Sequence, residues 1–88
     1  MTSSHYNVLV VDDEEPVKRL IATLLSQDGH QCAAASSGLE ALDKIKKHRF
    51  DAVVADIVMP EMSGLDLMGE LSKHDQSLPV MITNLVIN

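Results

Sequence analysis

Aromatic residues, cysteines and long apolar runs are all scarce in this 88-residue sequence. Tyr6 and Phe50 are its two aromatic residues, so a core must be aliphatic, and stacking on exposed bases is not an expected binding mode. The single cysteine, Cys32, excludes an internal disulfide and the zinc sites that need several cysteines. Uninterrupted apolar runs such as Val8–Val11 and Ala52–Ala55 reach four residues, whereas a membrane-spanning helix needs about 20.

The rest of the composition describes one small, acidic domain. Thirteen acidic and seven basic residues give a formal net charge of −6, which disfavours a nucleic-acid-binding surface. Apolar residues make up 45% of the chain, too many for a disordered segment. We expect a single domain over residues 1–88, with a core small enough to make its stability marginal. Because no secretory signal opens the chain, we expect a cytoplasmic protein without membrane contact.

Two hydrophobic periodicities alternate along the chain. Short β-branched or apolar runs predict strands, and apolar residues three and four positions apart predict helices between them. The predicted strands are Asn7–Val11, Gln31–Ala35, Ala52–Ile57 and the apolar segment Val80–Ile87, which Thr83 and Asn84 interrupt. The predicted helices begin at Pro16 and after the capping residues Ser37 and Ser63. This βαβαβαβ order predicts an α/β fold with a parallel sheet and right-handed crossovers.

Polar residues follow three of the predicted strands. Asp12 and Asp13 come after the first strand, Asp56 lies at the end of the third, and Thr83 ends the fourth if that strand is equally short. These strand ends share one edge of a parallel sheet, where ligands of such folds bind. Two carboxylates about 4 Å apart repel each other by about 4 kcal/mol at an effective dielectric of 20, so a proton or a cation is expected among them. The all-oxygen ligand set favours Mg²⁺.

Such an edge suits phosphoryl transfer. A metal ion neutralises oxygens of the transferring group, and a carboxylate can be the nucleophile that becomes an aspartyl phosphate. The Thr83 hydroxyl can donate a hydrogen bond to a phosphoryl oxygen. The plainer alternative is that Asp12 and Asp13 only favour the dipole of the helix that follows them.

Three segments resemble the receiver domains of response regulators. Val8–Glu14 is similar to the opening of these domains, Ser37–Leu42 to the start of their second helix, and Asp56–Leu65 to their phosphorylation loop. All three occur in the family's order and spacing, and the resemblance extends from about Asn7 to Thr83. It implies a flavodoxin-like fold with strand order 2-1-3-4-5.

The resemblance also implies a role for each residue at this edge. Asp56 would be the phosphoacceptor and a metal ligand, Asp13 would bind Mg²⁺ directly, and Asp12 would bind it largely through water. The backbone carbonyl of Val58 would be a further ligand, and Thr83 would be the switch hydroxyl that moves onto the phosphoryl group. The phosphoryl donor would be a histidine kinase, a phosphotransfer protein or a small phosphodonor, and the domain itself is not expected to be an enzyme.

The sequence also departs from this family. It stops after the fourth predicted strand, so the usual fourth helix, fifth strand and fifth helix are missing, together with the lysine that closes on the phosphoryl group. We therefore expect an incomplete receiver domain. The stretch between Pro79 and Thr83 is also one residue shorter than the common pattern. A one-residue slip turns a strand side chain to the other face, which makes Asn84 the alternative switch residue.

The missing elements predict self-association. Without the fifth helix, apolar side chains of the first and third strands lose part of their cover, and without the fifth strand the fourth strand becomes an exposed edge. Val80–Ile82 and Leu85–Ile87 are apolar. We therefore expect the chain to associate with itself through the fourth strand, by swapping, or over the uncovered face.

Three functions remain compatible with these patterns. The complete acidic triad favours the phosphoacceptor domain of a two-component signalling system. The missing lysine favours a truncated, non-signalling interaction module that keeps the acidic pocket but cannot hold phosphate or transmit the switch. A metal-dependent phosphatase with Asp56 as nucleophile ranks third, because the sequence offers no clear acid for the leaving group.

Overall fold

The computed structural model describes residues 5–84, which form four strands and three helices in the predicted order. The strands are β1 (Asn7–Val11), β2 (Gln31–Ala35), β3 (Ala52–Asp56) and β4 (Val80–Thr83), and the helices are α1 (Glu15–Gln27), α2 (Gly38–Lys47) and α3 (Gly64–His74). All strand pairs are parallel, in the order β2-β1-β3-β4. The predicted α/β class and flavodoxin-like topology are confirmed. Leu85–Ile87, which the sequence assigns to the last strand, lie outside the described residues.

β1 is one of the two interior strands of the sheet. Its residues from Val8 to Val11 are at most 6% exposed, as expected for a strand covered on both faces. Val11 pairs with Ala35 of β2 and with Ala55 of β3. The residues that follow these three positions therefore emerge together at one edge of the sheet.

Side-chain caps fix where α2 and α3 begin. The Ser63 hydroxyl accepts the Asp66 N–H at 3.1 Å and the Asp66 carboxylate accepts the Ser63 N–H at 3.3 Å, which is a complete capping box. At α2, the Ser37 hydroxyl accepts the Glu40 N–H at 3.1 Å. The Glu40 carboxylate, however, accepts the N–H of Ser36 at 2.8 Å. The sequence predicts a capping box at Ser37. The Ser37 hydroxyl makes its half of that box, but Glu40 accepts the N–H of Ser36 instead of the N–H of Ser37.

The main core lies between the sheet and the α2–α3 pair. It consists of buried aliphatic residues from β1, β2, β3, α2, α3 and the loop before α3: Leu9, Val11, Ala35, Ala41, Ile45, Val53, Ala55, Met59, Leu67 and Leu71. α1 lies on the opposite face, over β1 and β2, and its buried residues are Val17 and Lys18. Within the described residues, no helix has the length and apolar character to cross a membrane.

The face that carries α1 is incompletely covered, at β3 as the sequence predicts but not at β1. The expectation that β1 loses cover is wrong, because α1 lies over β1 and leaves Val8 and Val10 only 6% and 0% exposed. The opening lies over β3 and β4, where Val54 is half-buried and Met81 is 64% exposed. A groove of about 390 Å³ runs there between the sheet and α1, lined by Ile21, Leu25, Val54, Met81, Thr83 and Asn84.

Candidate functional site

Three carboxylates meet at the carboxyl edge of the sheet. One oxygen each of Asp12, Asp13 and Asp56 lies within 4.8 Å of the other two. Asp12 and Asp13 follow β1 directly, and Asp56 is the last residue of β3. Because Val11 pairs with Ala55 in parallel register, Asp12 and Asp56 emerge side by side, one step further along the two strands. The structure thus brings together the three acidic residues that the sequence singles out.

Asp12 is the buried member of this triad, at 1% exposure. Its Oδ1 atom accepts the N–H of Glu14 at 2.8 Å, and its own N–H donates to the carbonyl of Ala35 at 3.1 Å. Burial raises the pKa of the Asp12 carboxyl; the Glu14 N–H partly offsets this, and the charges of Asp56, Asp13 and Glu14 raise the pKa further. The charged form of Asp12 is therefore disfavoured, and a cation close to it would favour that form.

The other two carboxylates are more accessible. Asp13 is exposed and Asp56 is half-buried. The N–H of Val58 donates to Asp56 Oδ1 at 3.4 Å, a long hydrogen bond, and the Val58 side chain is 69% exposed. The backbone of Val58 therefore runs beside the triad, and its carbonyl remains a predicted metal ligand.

The loop that follows Asp56 is held by close backbone contacts. The N–H of Gly64 donates to the carbonyl of Ile57 at 3.1 Å. A Cβ at Gly64 would collide with the carbonyl oxygen of Asp56, so only glycine permits this approach. Met62 lies against Gly38 at the start of α2, where a Cβ would come within 2.6 Å of the Met62 sulfur. The sequence contains both glycines in its motifs but does not reveal these two contacts.

Thr83 lies beside Asp56 on the neighbouring strand. The two residues are register partners, and the N–H of Ile57 donates to the Thr83 carbonyl at 2.8 Å. The Thr83 hydroxyl is buried and has no hydrogen-bond partner among residues 5–84. Asn84 follows the end of β4 and is exposed. The register therefore favours Thr83 over Asn84 as the neighbour of Asp56, and its switch role remains a prediction.

The buried lysine Lys18 lies near this edge, and the sequence motifs do not single it out. The Nζ atom of Lys18 lies 2.6 Å from the Ser36 hydroxyl and 2.9 Å from a carboxylate oxygen of Glu15. Lysine is usually counted as a surface residue. The signal that would have found it is helical spacing, because Lys18 precedes Ile21 and Leu25 by three and seven positions and shares their face.

The triad has the donor chemistry of a hard-cation site. Its ligands are all oxygens, and its buried carboxylate carries a raised pKa because burial and neighbouring negative charges disfavour ionisation. A divalent cation relieves both the desolvation and the repulsion. The residues present therefore fit Mg²⁺ as a ligand.

Comparison with known proteins places this site in a family. A family model of the response regulator receiver domain matches residues 8–85. The transcriptional regulatory protein ZraR of Klebsiella oxytoca is 37% identical over 82 residues, which are 93% of this chain and 18% of ZraR. The response regulator MprA of Mycobacterium sp. (strain KMS) is 39% identical over 75 residues, 85% of this chain and 33% of MprA. The chain thus spans no more than 33% of either relative.

Solved structures show the same relationship. TrrA, a response regulator protein from Thermotoga maritima solved in complex with Mg²⁺ and BeF, matches with a TM-score of 0.83 and 36% identity, covering 86% of this chain and 66% of that one. A complex of TrrA with the histidine kinase ThkA matches with a TM-score of 0.84 and 33% identity, covering 93% and 71%. Because the family model matches residues 8–85 of this 88-residue chain, the chain belongs to the response regulator receiver domain family.

Proposed function

We propose that this chain is a phosphoacceptor domain that takes a phosphoryl group on Asp56, with Mg²⁺ held by Asp12, Asp13 and Asp56. The observation that carries this proposal is the meeting of three carboxylates within 4.8 Å at the carboxyl edge of a receiver fold. The complex of the related TrrA with a histidine kinase supports a phosphohistidine of a kinase or phosphotransfer protein as the donor.

The metal would be held by ligands of unequal accessibility. Asp13 is exposed and suits direct coordination, whereas Asp12 is buried and keeps one oxygen on the Glu14 N–H. The carbonyl of Val58 would complete the set of protein ligands. When bound, Mg²⁺ would neutralise charge on the oxygens of the transferring phosphoryl group. The Mg²⁺–BeF complex of TrrA supports this choice of ion.

Asp56 would act as the nucleophile. One of its carboxylate oxygens forms a bond to phosphorus while the bond from phosphorus to the donor imidazole nitrogen breaks and leaves its electron pair on that nitrogen. Thr83, the register partner of Asp56, has a buried hydroxyl without a partner in residues 5–84. That hydroxyl would donate to a phosphoryl oxygen, which couples phosphorylation to the position of β4.

Intact-mass measurement with Mg²⁺ and a small phosphodonor tests the proposal. The wild type should gain one phosphoryl group and Asp56→Asn should gain none. Asp51→Asn is the matched control, because Asp51 is also a carboxylate that accepts a backbone N–H, that of Asn7 at 2.8 Å, at the other end of β3. No gain in the wild type while Mg²⁺ still binds would identify the chain as an interaction module that keeps only the acidic pocket.

Among residues 5–84, β4 pairs with a strand on one side only, and this free edge supports a second proposal, self-association. β4 contains neither a charged residue nor a proline, the usual protection of an edge strand. Its Met81 side chain is 64% exposed beside the groove under α1. We expect a dimer by light scattering at micromolar concentration and a monomer for Met81→Lys. A well-folded wild-type monomer at that concentration would refute self-association without affecting the phosphoacceptor proposal.

A further inference from the structure

Lys18 is buried close to the acidic edge. Among residues 5–84, Asp12 and Lys18 are the two buried charged residues, with exposures of 1% and 7%. Burying an ammonium group is unfavourable unless it has partners. Lys18 has two: its Nζ lies 2.6 Å from the Ser36 hydroxyl and 2.9 Å from Glu15 Oε2.

These two partners belong to the two chain segments that adjoin Asp12. Glu15 is the first residue of α1, directly after the acidic connection from β1. Ser36 directly follows β2, whose last residue, Ala35, accepts the N–H of Asp12 at 3.1 Å. The Lys18 ammonium therefore joins the first turn of α1 to the β2–α2 connection.

We propose that Lys18 is a positioning residue for Mg²⁺ binding, which acts by fastening the first turn of α1 to Ser36 and so holding Asp12 and Asp13 in place. This inference rests on the proposed function, because it presupposes that these carboxylates bind Mg²⁺. The tether would act through geometry, one contact further from the metal than a partner bonded directly to a ligand. Its effect should therefore appear in the affinity for Mg²⁺ more than in the stability of the fold.

Substitutions can separate this tether from the two simpler roles of a buried lysine. If Lys18 acted through its positive charge, it would oppose cation binding, and its removal would strengthen Mg²⁺ affinity. If it served only the fold, Lys18→Met would leave Mg²⁺ affinity unchanged. Methionine retains most of the apolar stem, and the released partners are exposed, the Glu15 side chain at 61%, so water can solvate them.

Mg²⁺ titration by isothermal calorimetry tests the proposal. Lys18→Met should weaken Mg²⁺ binding on the order of tenfold, the lower end for loss of an outer-shell partner, and Lys18→Arg should recover most of it. Ser36→Ala should weaken binding in the same direction, because it removes the acceptor and leaves the charge. Lys44→Met is the matched control: Lys44 also fastens a helix to β2, through the Ala34 carbonyl at 2.7 Å, but on α2.

The possible results separate this inference from the function on which it rests. A wild type that binds no Mg²⁺ refutes the metal site itself. A wild type that binds Mg²⁺, with Lys18→Met and Ser36→Ala binding it equally well or more tightly, refutes the positioning role alone. Urea melts in EDTA check that each variant is folded. If Lys18→Met does not fold, Ser36→Ala decides, because an exposed hydroxyl is removed without changing buried charge.

Discussion

Asp12→Asn is expected to stabilise the metal-free protein while removing most of its stabilisation by Mg²⁺. Asparagine has nearly the same shape as aspartate, and its Oδ1 atom can still accept the Glu14 N–H. In the wild type the Glu14 nitrogen lies 2.8 Å from Asp12 Oδ1. The substitution therefore removes one negative charge, 1% exposed, and little else. Both the desolvation of that charge and its repulsion by Asp13 and Asp56 disappear with it.

The repulsion sets the size of the effect. The three carboxylates offer oxygens within 4.8 Å of one another, and at about that distance two unit charges interact by about 3.5 kcal/mol at an effective dielectric of 20 and about 1 kcal/mol in water. Asp13 is exposed and Asp56 half-buried, so solvent screens both pairs. We expect Asp12→Asn to raise the free energy of unfolding by about 1–3 kcal/mol. Each kcal/mol corresponds to about 4–8 °C in Tm for a domain of this size.

Thermal melts in EDTA and in excess Mg²⁺ provide the assay. In EDTA the Tm of Asp12→Asn should exceed that of the wild type; in Mg²⁺ the wild-type Tm should rise and that of the variant should change little. Asp51→Asn, which removes a carboxylate at the other end of β3, should differ from the wild type by less than about 0.5 kcal/mol in both buffers. An Asp12→Asn Tm at or below the wild-type value in EDTA would show that carboxylate repulsion does not destabilise this edge.

The same carboxyl gives the stability a defined pH dependence. Burial, then neighbouring charges, raises the pKa of folded Asp12 above its ordinary value of 3.8, so the folded state binds more protons than the unfolded state between those two pKa values. Stability from this group is therefore greatest below the ordinary pKa and falls as pH rises through the raised one. The stability advantage of Asp12→Asn over the wild type in EDTA should accordingly grow with pH in urea melts. A constant difference would contradict the raised pKa.

Three further substitutions test the geometry around the triad. Gly64→Ala should destabilise the fold by about 1–3 kcal/mol in urea melts, because the new Cβ meets the Asp56 carbonyl oxygen; a neutral result would mean that the loop can move away. Glu61→Gly should stabilise by about 0.5–1 kcal/mol, since Glu61 has a φ of 69°, and Glu61→Ala should not. Thr83→Val should leave stability unchanged or raise it by up to about 1 kcal/mol, because it removes a buried hydroxyl without a partner in residues 5–84; a loss of 1 kcal/mol or more would reveal a hydrogen bond to that hydroxyl.

Most of the fold follows from periodicity and strand–helix alternation. The bounds of β1 and β2 agree with the sequence prediction residue for residue. β3 ends one residue early, at Asp56, because the Ile57 carbonyl already accepts the Gly64 N–H of the following loop. The hydrophobic pattern of the sequence around Ile57 carries no information on such a backbone hydrogen bond. The expectation that β1 loses cover was wrong because the sequence does not specify which strands α1 lies over.

The triad was predictable and its surroundings were not. Topology alone brings the ends of β1 and β3 to one edge, so Asp12, Asp13 and Asp56 follow from the order of elements. Choosing between Thr83 and Asn84 needs the register of β4, which counting from Pro79 does not provide. The register pairs Thr83 with Asp56. A tether such as that of Lys18 depends on side-chain conformation, which no spacing rule specifies.

The two buried charged residues among residues 5–84, Asp12 and Lys18, have complementary effects on the acidic edge. Asp12 begins the connection from β1 to α1, and Lys18 lies in the α1 helix, where Val17 is the other buried residue. The Lys18 ammonium, bonded to Ser36, supplies a polar anchor at that point. The acidic edge thus carries an unfavourable buried charge at Asp12 and a polar anchor at Lys18, as the proposed cation site would require.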